Sequence, residues 1–220
     1  MSRLYGENHR QLQDRNDTRR LADKIEQIAV QPTINDMDKA FIESRDMFFL
    51  SSVDHQGRPT VSYKGGDPGF VRVPDPGTIV FPLYDGNGMF FSAGNIVGNQ
   101  QVGLLFIDFV KPQRVRVQGV ATVSADDPLM REFHEAQMIV RVAVTEAWPN
   151  CPRYVHRFEK VQASRYVPRA QCETPLAGWK RMDLIQDDLP KSDQGRAEKA
   201  GGLLTIEEWF GKVAVGDPEA

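Results

Sequence analysis

The sequence predicts a mainly β chain, an antiparallel barrel or sandwich with flanking helices. Three observations predict it. Short apolar or alternating runs recur between residues 47 and 148. Clusters of Gly, Pro, Asp and Asn separate them, and few helical stretches intervene.

The elements follow in order. Residues 10–29 are charged, with Leu12, Leu21, Ile25 and Ile28 spaced for one face of one helix, which Pro32 ends. A second helix follows in TINDMDKAFIESRD, with Asn35 or Asp36 as its cap and Met37, Ala40 and Phe41 as its apolar stripe. MFFLSSV (47–53), the turn DHQG and RPTVSYK (58–64) predict a hairpin. FVRV (70–73), TIVFPL (78–83), VGLLFIDF (102–109), RVRVQGVATV (114–123) and MIVRVAVTEAW (138–148) are further strands, and Gly119 suggests a bulge. A helix near 88–99 interrupts the series. Asp127-Pro128 starts a short helix. Residues 150–160 read as a loop and helical turn, and the polar stretch beyond 186 as a loop or mobile linker. LTIEEWFGKV forms a last helix, in which Thr205 and Glu208 have capping-box spacing.

Bulk properties narrow the function. The 220 residues suffice for one large domain, alone or with extensions. Forty per cent apolar and 26% charged residues fit a soluble globular protein. A net charge of −3 makes no electrostatic case for nucleic acid. No apolar run approaches the ~20 residues that span a membrane. The polar N-terminus lacks the apolar core of a signal peptide, so the cytoplasm is the expected location. Cys151 and Cys172 form no CxxC or zinc spacing, and His9, His55, His134 and His156 form no ligand motif, so no metal site is expected. Neither GxGxxG nor a Walker A sequence is present.

Two strands carry polar residues on one side. Arg58, Thr60, Ser62 and Lys64 alternate with Pro59, Val61 and Tyr63; Arg114, Arg116 and Gln118 alternate with Val115 and Val117. A half-solvated sheet produces this pattern. So does a cleft whose guanidinium, ammonium and hydroxyl groups match a phosphate. DGNGMFFSAGNIVGNQ, from Asp85, adds a helix starting near Gly86-Asn87-Gly88, where free N–H groups and the helix dipole suit an anion. Turn chemistry alone selects the same residues.

In this order, FFLSSVDHQGRPTVSYKGGDPGFVRV, DGNGMFFSAGNIVGNQQVGLLFIDF, RVRVQGVATV and PNCPRYVH resemble the pyridoxamine 5′-phosphate oxidase-like family of flavin-binding split barrels, over about residues 35–165. The resemblance implies a six-stranded antiparallel split β-barrel with flanking helices. It implies a homodimer holding FMN at the subunit interface. By the same resemblance Arg58, Ser62 and Lys64 reach the FMN phosphate, and Phe81 and Pro82 lie beside the flavin. Asn87 and Gly88 stand at the helix start, Ser92 and Asn95 within it. Arg114 faces the pyrimidine edge, and Arg153 reaches across from the other subunit.

The implied division is a helical extension (1–34), an FMN-binding split-barrel domain (35–170) and a tail with a terminal helix (171–220). Asn87-Gly88-Met89 stands where the vitamin B6 oxidases carry an Arg-Lys pair, and their C-terminal Arg-x-His signature is not evident, so pyridoxamine phosphate is not the expected substrate. The expected function is an FMN-dependent oxidoreductase on a small organic substrate. The alternatives are a non-catalytic FMN holder or sensor, and a split barrel binding deazaflavin or haem. Tyr154 and His156 are acid–base candidates by residue type only.

Overall fold

Alternation over residues 47–65 builds the first hairpin. In the computed structural model, which describes residues 2–220, strands β1 (Met47–Val53) and β2 (Pro59–Gly65) pair antiparallel. Asp54 closes their turn by accepting from the N–H groups of Gln56 and Arg58, and Gly57 supplies the positive φ of +78°. Strands β3 (Arg72–Asp75), β4 (Thr78–Leu83), β5 (Gln101–Asp108), β6 (Gln113–Ser124) and β7 (Met138–Asn150) complete one sheet. Its order is β2-β1-β5-β6-β7-β4-β3, with every neighbouring pair antiparallel. The fold class is the predicted one. The strand count is seven rather than six, because the short β3 extends the sheet beyond β4. The predicted bulge falls opposite Gly119: the β6–β7 register shifts between Gln118 and Gly119, and the extra residue is Thr145 on β7. A side chain at Gly119 would bring its Cβ to 2.5 Å from the Ala143 carbonyl oxygen, so the close approach requires glycine.

The chain divides into two units, one running to Glu159 and the other Lys160–Ala220. The core of the first is aromatic at its centre. Phe48, Phe81 and Phe106 are fully buried, with the Phe48 ring 4.9 Å from Phe81 and 5.1 Å from Phe106.

The helix expected over 10–29 is two helices, α1 (Glu7–Arg15) and α2 (Arg19–Ala29). Asn16 and Asp17 divide them. The Asn16 amide donates to the Leu12 carbonyl and Asp17 takes φ 52°, the turn chemistry that short polar side chains favour. Leu12, Leu21, Ile25 and Ile28 are exposed. Helix α3 (Asp36–Glu43) begins as predicted, with the Asn35 side chain accepting from the Asp38 N–H. Its buried residues include Phe41 and Ile42, whereas Met37 faces solvent. Helix α4 (Phe91–Gly98) lies between β4 and β5. The predicted short helix at Asp127-Pro128 is a 3-10 helix, Pro128–Glu132, with Asp127 capping the Leu129 N–H.

In the second unit, 3-10 turns form at Gly178–Arg181 and Asp183–Asp188, and the stretch beyond 186, expected as a loop or linker, carries helix α5 (Arg196–Lys199). A buried Lys180–Asp193 pair at 2.7 Å anchors it. Helix α6 (Ile206–Ala214) has the predicted Thr205–Glu208 capping box. Among the described residues no helix is long and apolar enough to cross a membrane.

Candidate functional site

Strand β2 reverses the wet-face reading. Pairing puts Lys64 opposite Phe48, Ser62 opposite Leu50 and Thr60 opposite Ser52, on the core side of the sheet. These polar residues are half-buried, and α4 caps them. Val61 and Tyr63, on the apolar side, are 70% and 62% exposed. Asn95 is buried and donates to Ser52 Oγ (3.1 Å) and Thr60 Oγ1 (3.2 Å), tying α4 to the hairpin. One helical turn earlier, Ser92 Oγ lies 3.2 Å from Ser62 Oγ and accepts from Lys64 Nζ at 3.3 Å.

The electrostatics of this corner are one-sided. Burial pushes the Lys64 ammonium below the ordinary lysine range. Its hydrogen-bond partner is a hydroxyl, and it forms no ion pair among the described residues. Helix α4 adds its N-terminus. Gly94 is the first residue whose N–H reaches back, to the Phe90 carbonyl, so the N–H groups of Phe91, Ser92 and Ala93 precede the intrahelical ladder. An ammonium, two hydroxyls and a helix N-terminus converge here, a donor set that fits a phosphate.

Other sequence-predicted residues are placed elsewhere. The helix starts later than expected: Phe90, at φ 48°, is its N-cap. Asn87 and Gly88 lie in the exposed turn before it, where the Asn87 side chain accepts from the Met89 N–H and Gly88 takes φ +74°. Arg58 is not brought to Lys64. About six steps of ~3.3 Å along the strand separate them by roughly 20 Å. Its guanidinium instead clasps Asp54, with Nε at 2.8 Å and Nη2 at 2.7 Å from Oδ2, and holds that carboxyl down to about 2. The Phe81 side chain is in the aromatic core, and Pro82 is buried beside it on β4. Arg153 is exposed, its guanidinium 5.4 Å from the Tyr154 ring centroid.

Arg114 lies across the sheet. Lys64 pairs with Phe48, β1 and β5 align Phe49 with Leu105, and Phe106 pairs with Val115. Val115 therefore shares Lys64's face, and Arg114, its neighbour, projects from the other. There Arg114 is opposite Asn150, and its Nη2 donates to the Cys151 carbonyl at 2.6 Å. Arg114 Nε and Asn150 Oδ1 are both buried without a hydrogen-bond partner among the described residues. Tyr154, His156 and Cys151 are all exposed on the segment that follows. Sequence reading missed Ser52, Asp54 and Asn150. The alternation of MFFLSSV signalled the first, and the turn position the second; nothing local marked Asn150.

A family model described as pyridoxamine 5′-phosphate oxidase matches residues 34–163. The chain belongs to this family. The span matched by the pyridoxamine 5′-phosphate oxidase family contains every residue discussed above, from Phe48 to His156, and stops near the start of the second unit. A putative pyridoxamine 5′-phosphate oxidase from Lactobacillus delbrueckii is similar in structure, at 21% identity, covering 54% of this chain and 95% of its own, with a TM-score of 0.44. The FAD binding protein from Mycobacterium smegmatis is 16% identical, covering 55% and 97%, with a TM-score of 0.38. The heme storage protein from Vibrio cholerae is 21% identical, covering 48% and 86%, with a TM-score of 0.37. No curated protein matches the chain.

Proposed function

We propose that the protein is an FMN-dependent oxidoreductase that acts on a small organic substrate as a homodimer, with FMN at the subunit interface. The observation that carries this reading is Lys64: a half-buried ammonium with a hydroxyl partner, beneath a helix N-terminus. A buried cation without a counter-charge is costly. A phosphate monoester supplies that counter-charge and accepts from Ser62, Ser92 and the first N–H groups of α4.

FMN, when bound, supplies the hydride chemistry. The protein's part is to hold and tune it. Lys64, Ser62 and Ser92 anchor the phosphate. Arg114 Nε and Asn150 Oδ1 offer an unused donor and an unused acceptor to the edge of a flat polar ring. Positive charge at Arg114 favours the reduced, anionic ring and raises its potential.

The two groups of residues support a dimer because they project from opposite faces of one sheet. A second copy can bring the Arg114 face of one chain to the Lys64 face of the other. Exposed Val61 and Tyr63 on β2, at the end of the sheet, offer apolar surface for that contact.

The test is an absorption spectrum of the purified protein, with the chromophore released by heat and identified by mass, and the particle mass from sedimentation. FMN and a dimer are expected, followed by reduction with NAD(P)H or other donors. A colourless protein that takes up no added FMN refutes the proposal.

A further inference from the structure

The second unit holds a cleft of about 390 Å³ that the flavin reading leaves unused. Four cations line it, Arg165, Arg181, Arg196 and Lys199, against two carboxylates, Glu173 and Glu219. Both carboxylates are taken. Glu219 pairs with Arg165 at 2.6 Å, and Glu173 lies 3.6 Å from Arg196, which also meets Asp193 at 3.2 Å.

Arg181 and Lys199 remain without a carboxylate partner among the described residues. Arg181 is 7% exposed. Its Nε and Nη2 donate to the carbonyls of Gly202 (2.8 Å) and Gly201 (2.9 Å). Those glycines take φ +91° and +105°, a backbone that side chains rarely adopt, and so present their carbonyls to the guanidinium. The two carbonyls take two of its five N–H groups and leave its charge. A third group points the same way: Thr174 Oγ1, also in the cleft lining, is buried without a hydrogen-bond partner among the described residues. Buried polar atoms are seldom left unpaired, and a bound ligand is one way to pair them. Tyr166 and Leu176 give the cleft an apolar wall.

We propose that this cleft binds a small organic anion, a carboxylate or phosphate ester on an apolar body. The anionic group meets Arg181, Lys199 and the Thr174 hydroxyl, and the body lies along Tyr166 and Leu176. This site is independent of the flavin proposal.

The full-length protein, with excess FMN present to occupy the Lys64 corner, is titrated calorimetrically with phenyl phosphate and with benzoate, and with inorganic phosphate for comparison. One molecule of an aromatic anion per chain is expected, and whichever probe binds more tightly assigns the head group. Inorganic phosphate should bind more weakly. Lys199→Glu and Thr174→Val should each weaken binding about tenfold or more, while Lys64→Ala leaves it unchanged. Thr174→Val should also leave the free protein at least as stable, since it removes an unpaired buried hydroxyl. No binding of either aromatic anion overturns the proposal. So does undiminished affinity in Lys199→Glu and Thr174→Val, loss on Lys64→Ala, or equal affinity for inorganic phosphate.

Discussion

Replacing Lys64 with methionine separates a binding lysine from a structural one. Methionine keeps an unbranched apolar stem in the half-buried position and deletes the ammonium. In the free protein the ammonium has one hydroxyl neighbour, Ser92 Oγ at 3.3 Å, so its removal strands no carboxylate. Burial already holds this lysine below its ordinary range, so the charge is a cost to the free fold. The urea midpoint of the flavin-free Lys64→Met variant should therefore not fall. FMN affinity should. A charge-assisted hydrogen bond to phosphate contributes about 1.5–3 kcal/mol, which is about ten- to a hundredfold in Kd. The sign of the pH effect follows. Between the depressed folded value and the ordinary one, the unfolded chain binds more protons. Stability of the flavin-free wild type thus climbs with pH across that window, and the variant should lose the climb. Flavin fluorescence quenching measures affinity, and urea unfolding from neutral to alkaline pH measures stability. An FMN Kd within twofold of wild type refutes the phosphate assignment. A midpoint that drops with the affinity shows a structural lysine instead.

Three further predictions concern the same framework. Asn95→Ala should destabilise the protein by about 1–3 kcal/mol, since it removes the two hydrogen bonds that the buried amide donates to the Ser52 and Thr60 hydroxyls and loosens α4; an unchanged urea midpoint would show that this tether is idle. Gly119→Ala should lower the melting temperature, because its Cβ meets the Ala143 carbonyl oxygen at 2.5 Å, and an unaltered melt would count against the bulge geometry. The Arg58–Asp54 clasp depresses the Asp54 carboxyl to about 2, so its contribution is present above the ordinary aspartate range and is lost as pH falls towards 2. Urea midpoints between neutral and acid pH should decline less steeply in Asp54→Asn than in wild type, and parallel slopes would contradict that account.

Much of this molecule was legible from residue order. Period-two alternation marks β1, β2, β6 and β7 because a half-buried strand imposes it directly on the sequence. Asn35, Asp127 and the Thr205–Glu208 pair announce their helix or turn starts because a cap is a local hydrogen bond. The break at Asn16-Asp17 escaped an apolar spacing that reads continuously through it, since the pattern counts faces and not turn chemistry.

Which face of a strand is wet is a different kind of fact. Alternation separates Thr60, Ser62 and Lys64 from Val61 and Tyr63, but only α4 lying on the hairpin decides that the polar set is covered and the apolar set exposed. The same holds for the two arginines grouped with Lys64 by residue type. Strand length keeps Arg58 away from it, and the register across β1, β5 and β6 turns Arg114 to the opposite face. Residue order alone carries the family, the sheet and the residue types suited to a phosphate. The tertiary structure decided which of them meet, because long-range pairing, not local preference, sets distance and side.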